Sequence, residues 1–155
     1  MPRVALFAVA WCCVFATAHV FWAVGKSAGL ASSAREDLAA RRPGALVILG
    51  PWGVAGVLLL AAVGIVAVGT RQCDARVARI GAWTIGVTGP GLLVRGIALE
   101  VLLATETAGI RAAVGPLETR WSLILWNPWF VLGGAVLIAT ATQILQRSRA
   151  ARSSR

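Results

Sequence analysis

The chain has 155 residues, 58% of them hydrophobic, with a formal charge of +9 and a mean hydropathy of +0.78. A water-soluble domain of this size needs far more polar residues to cover its surface, so that class is excluded. Nucleic acid is not an expected partner either, because the basic residues sit in connectors and tail, where membrane proteins use them to set orientation.

Four apolar runs follow one another: Val4–Val24, Ala45–Val68, Ile80–Leu103 and Trp121–Leu145. Each is long enough for a hydrocarbon core, which takes roughly 20 helical residues. They predict an all-α integral membrane four-helix bundle with kinked spans. It forms a single transmembrane domain over residues 1–145, followed by a basic tail over 146–155.

The first run begins after Arg3 and contains Ala16-Thr17-Ala18, which resembles a signal-peptide cleavage site. The apolar stretch continues to Val24 and the positive end is a single residue, so a retained span is expected. Trp11, Phe15, His19 and Trp22 recur at three- and four-residue steps and form one stripe. Cys12 and Cys13 read as small apolar fillers, and Cys73 lies in the second connector. With no C-x-x-C pair and a single histidine, neither a dithiol mechanism nor a metal site is expected, and no cofactor is implied.

The first connector holds Ser33-Ala34-Arg35-Glu36, a capping-box spacing, and runs to Arg41-Arg42 before Pro43-Gly44. It reads as a short interfacial helix or as a polar loop with one helical turn. The second span carries Pro51-Trp52 and the small residues Gly50, Gly53 and Gly56. The third carries Ala82, Gly86 and a Gly89-Pro90-Gly91 hinge, while Pro128 enters the fourth. Each proline frees a carbonyl four residues earlier, those of Val47, Gly86 and Ile124. The small residues predict faces where helices approach closely.

Arg95 interrupts the third run, and a guanidinium at depth is costly enough to imply a protein-lined environment. Glu100 follows five residues later, about 140° around the helix, which disfavours a direct pair. Glu118 and Arg120, at the mouth of the fourth span, are further charge partners. With a rise of about 1.5 Å per residue, His19, Trp52, Arg95 and Asn127 fall at one level of an antiparallel bundle.

Lys and Arg number eight in the amino end, second connector and tail, against six in the first and third connectors. The bias predicts both termini in the cytoplasm. Arginine far outnumbers lysine, and alanine, glycine and valine abound, which fits a GC-rich bacterial genome and an inner-membrane location.

His19-Val20-Phe21-Trp22-Ala23-Val24-Gly25, Arg120-Trp121 and Trp126-Asn127-Pro128-Trp129-Phe130 resemble the signature segments of a bacterial four-span family. It is the family catalogued as domain of unknown function 3995. The resemblance covers nearly the whole chain and implies an arginine in span three, matching Arg95. It departs at Trp126, where tyrosine is expected, and at Ser122, where an acid is common. It implies an architecture and no activity.

The leading expectation is a binding or transport-related membrane protein in contact with the lipid bilayer. Arg95, His19, Asn127, Trp22, Trp52 and Trp126 would hold a small anionic or lipid-like ligand near the outer leaflet. Four helices are few for a free-standing transporter, so transport would call for a homo-oligomer. Each residue has a plainer alternative: Arg95 snorkelling to the interface, His19 bonding a freed carbonyl, the tryptophans forming an interfacial belt. The rivals are a structural subunit whose polar layer fixes packing, and a lipid or isoprenoid enzyme with His19 as base. No catalytic residue is assigned, since there is no intramembrane carboxylate pair and no phosphate-binding glycine loop.

Overall fold

The computed structural model describes residues 1–33, 40–70 and 75–153. Four helices are long and apolar enough to cross a membrane: α1 (Arg3–Ala23), α2 (Gly44–Thr70), α3 (Ala75–Ala104) and α4 (Pro116–Gln146). The last helix continues to Ser153, so the basic tail extends α4 as far as it is described. No strand occurs among the described residues. The chain is an all-α, multi-pass membrane bundle, as the apolar runs predict. Helices are one of only two ways for a backbone to satisfy its own polar groups in lipid.

Each helix packs on its neighbour in sequence, and α1 also packs on α4, closing a four-membered ring. Inside it lie Trp11, Phe15, Leu58, Ile65, Ile85 and Leu137, all buried. Outside, Leu6, Phe7, Leu60, Trp83 and Val94 are exposed. Large apolar side chains on the outer face are what a bundle surrounded by lipid requires.

The close approaches differ from those expected. A Cβ built on Gly64 would overlap the Cα of Gly81, and the reverse holds too, so α2 and α3 touch backbone to backbone there. Gly89 meets Leu137 and Ile138 of α4, and Gly96 meets the carbonyl of Asn127. Gly56 and Gly86, by contrast, face open space. The Gly50-Gly53-Gly56 face of α2 is therefore not a packing seam. Small residues permit close contact, but the ring geometry selects which of them use it.

The prolines also divide. Pro51 lies within a π-helical turn, Ile48–Trp52, and Pro128 lies two residues beyond the end of another, Ser122–Trp126. A wider turn accommodates the ring and the lost donor without ending the helix. Around Pro90 the α-helix runs unbroken from Ala75 to Ala104, so no separate hinge segment forms. There Gly89, held tightly against α4, ties the proline segment to its neighbour.

Two connector arginines cap helix C-termini. Arg111 donates to the carbonyls of Leu103 (2.7 Å) and Ala104 (3.0 Å) at the end of α3, and pairs with Glu106 at 3.6 Å. Arg42 donates to the carbonyl of Trp22 in the last turn of α1 and to that of Lys26 (3.4 Å). Carbonyls at a helix C-terminus lack intrahelical donors, and the partial negative charge there favours a cation. Arg35, Glu36 and Cys73 lie outside the described residues, so the capping box does too. The hydroxyl of Ser33 donates back to the Leu30 carbonyl at 3.1 Å.

Candidate functional site

The stripe on α1 becomes a continuous aromatic column. Ring centroids lie 5.2 Å apart for Trp11–Phe15, 4.4 Å for Phe15–His19 and 5.1 Å for His19–Trp22. From α4, Trp129 stacks on Trp11 at 5.6 Å and Trp126 meets Trp22 at 5.7 Å. Offset and edge-on contacts of this kind hold orientation as well as area. They lock the rotamer of His19 between two rings.

The Nδ1 of His19 lies 2.9 Å from the carbonyl of Phe15, one turn earlier on the same helix. A carbonyl can only accept, so Nδ1 carries the proton, and a neutral ring offers Nε2 as an acceptor. The carbonyl used is an ordinary one of α1, rather than one freed by a proline.

Arg95 projects from α3 toward α4, with its Cζ 4.0 Å from the centroid of the Phe130 ring. This is a cation–π contact, strongest where water is scarce. It turns the guanidinium toward α4. The Arg95 side chain remains accessible.

That access is to a cavity of about 490 Å³ between the four helices. His19 and Trp22 of α1, Arg95 of α3, and Trp126 and Phe130 of α4 form its polar and aromatic wall. Val54, Val57 and Leu58 of α2 with Leu92 of α3 form the apolar wall. A second, smaller cavity of about 270 Å³ adjoins it, sharing His19, Trp22, Ser33, Val54 and Arg95. It continues along Leu30, Arg42, Gly50 and Pro51 beneath the first connector. Together they occupy the end of the bundle that carries the first and third connectors.

Of the residues expected at one level, two face away from the cavities. Trp52 is 47% exposed and lines neither cavity, because the π turn directs Gly50, Pro51 and Gly53 inward in its place. Asn127 is buried at 1% exposure and bonds across to α3, donating from Nδ2 to Glu100 at 3.1 Å. Glu100 is thereby turned to the protein, half-buried, and is not paired with Arg95. Glu118, half-buried near the start of α4, lines neither cavity. Arg120 and Trp121 are exposed at the mouth of α4, consistent with interfacial positions.

The first connector contributes what sequence patterns did not reveal. Trp22 Nε1 donates to the Ala28 carbonyl at 2.8 Å, and Trp126 Nε1 to Ser32 Oγ at 3.3 Å. These bonds fold Leu30–Ser32 as a 3₁₀ turn over the helix ends, with Leu30 buried. Ser33 and Arg42 enter the cavity wall as a result, and Thr88 joins from α3. Arg42 carries no sequence signal beyond its charge. No group of three or more histidine, cysteine, aspartate or glutamate side chains is placed to hold a metal ion among the described residues.

The family model described as "Protein of unknown function (DUF3995)" matches residues 12–137, which span the aromatic column from Phe15 onward, both cavities and the Asn127–Glu100 pair. No curated protein and no solved structure matches the chain.

Proposed function

We propose, from the premise that this chain belongs to the DUF3995 family, that it binds a small anionic or lipid-like molecule in the cavity beside Arg95. The observation that carries the reading is an accessible guanidinium, backed by the Phe130 ring, in a cavity of about 490 Å³ with largely apolar walls. That volume falls within the roughly 300–1,000 Å³ of small-molecule pockets, which combine apolar lining with a few directed polar groups. Arg95 holds the anionic or carbonyl group, and the locked His19 offers a hydrogen-bond acceptor beside it. Trp22 and Trp126 enclose the apolar part.

The placement of basic residues supports an inner-membrane protein with both termini in the cytoplasm, its cavity opening toward the outer leaflet. A role in moving the bound molecule across would require association of copies, since the ring of four helices is closed around its own core. The reading is of binding rather than turnover, because the cavity walls pair a single imidazole with no carboxylate among the described residues.

Native mass spectrometry of protein extracted gently from its own membrane tests this. The wild type carries a selectively bound molecule that Arg95→Ala loses. Identical unspecific lipids on both forms, with the variant merely less stable, would sink the binding reading. A structural role is the second reading, favoured by the Asn127–Glu100 bond, which ties α4 to α3 away from the cavity.

A further inference from the structure

The smaller cavity has two arginines in its wall, Arg95 from α3 and Arg42 from the first connector, and no carboxylate among the described residues. Two guanidiniums bordering one space of about 270 Å³, at the edge of a low-dielectric bundle, favour an anion placed between them. Arg42 spends part of its donor set on the Trp22 and Lys26 carbonyls, yet a guanidinium has five N–H groups. Planar forks of this kind match the oxygens of phosphate and carboxylate.

The larger cavity continues from that same point. It shares Arg95 and His19 with the smaller one, then runs along apolar residues to Leu49 and Val57, which are 79% and 42% exposed on the outer surface of α2. A chain lying there would pass from the two arginines out to the lipid-facing side. We propose that Arg42 and Arg95 together clamp the oxyanion head of an anionic amphiphile, a phosphate or carboxylate, and that its tail occupies the larger cavity. This rests on the reading that the cavity binds a ligand, and adds the second cation, the head chemistry and the direction of the tail.

Trp22 and Trp126 line the larger cavity, so tryptophan emission of the full chain in an uncharged maltoside detergent reports occupancy. The probes are dodecyl phosphate, dodecanol and inorganic phosphate. Dodecyl phosphate is expected to bind saturably and at least tenfold more tightly than dodecanol. Arg42→Gln and Arg95→Gln each weaken it about tenfold or more, while Arg42→Lys, which keeps the charge, binds better than Arg42→Gln. Arg111→Gln, at the cap of α3 and outside both cavities, leaves the affinity unchanged. Melting curves establish that each variant is folded.

If folded Arg42→Gln binds dodecyl phosphate like the wild type, the clamp is overturned and the single-cation site beside Arg95 stands. Equal binding of dodecyl phosphate and dodecanol overturns the oxyanion head while keeping an apolar pocket. Displacement by inorganic phosphate at the concentrations that suffice for dodecyl phosphate keeps the clamp and overturns the tail. No saturable signal from any probe overturns both the clamp and the ligand-binding reading.

Discussion

An arginine within hydrocarbon can lower its energy by reaching the interface or by finding partners inside the protein. Arg95 has a partner inside the protein, the face of Phe130, and this leaves N–H groups available to the cavity. Arg95→Ala is therefore expected to weaken ligand binding by about ten- to a hundredfold, the range of charge-assisted hydrogen bonds. Arg95→Lys should retain part of the affinity, since it keeps the charge but loses the planar stacking. Trp52→Ala should leave binding unchanged, because its side chain faces away from both cavities. All three are read by the same titration. A loss with Trp52→Ala as large as with Arg95→Ala would contradict the geometry.

Among the elements, α3 and α4 are joined by the Asn127–Glu100 bond. Interhelical hydrogen bonds in membranes contribute about 0.6 kcal/mol on average and up to about 2. Asn127→Ala should lower stability by about that much in a reversible unfolding assay while preserving ligand affinity. A selective loss of ligand with stability intact would return Asn127 to the binding site. The α2–α3 seam is less forgiving: Gly64→Val puts a branched side chain where the Gly81 backbone lies. Overpacking costs about 1–3 kcal/mol, and a markedly lower melting temperature is expected. Pro51→Ala removes the obstacle to a regular α turn at Ile48–Trp52. Regularising that turn rotates Gly50 and Gly53 relative to the rest of α2, so weaker ligand binding without lost stability is the expected result.

For the whole molecule, the charge bias predicts that the first and third connectors face away from the cytoplasm. A cysteine-free background carrying Ser27→Cys should react with an impermeant maleimide added to intact cells, while Ser148→Cys should react only after lysis. The opposite pattern would invert the orientation and place the cavity at the cytoplasmic leaflet. The number, length and order of the spans were legible in the sequence because membrane insertion depends on summed apolarity over about 20 residues, a local quantity. The column of Trp11, Phe15, His19 and Trp22 was legible for a similar reason, since helical periodicity alone aligns it. Direction was not legible: Trp52 and Asn127 face away from the cavities, because a π turn and an acid on α3 decide their orientation. Arg42 could not be singled out, since its place in the cavity depends on bonds from Trp22 and Trp126 that fold the connector over the helix ends. The sequence by itself determined a four-span bundle with a costly arginine in its third helix, through local hydrophobicity and period. Only the tertiary structure decided which glycines touch, which acid is spoken for and which residues share the cavity with Arg95, because those depend on how four helices are rotated against one another.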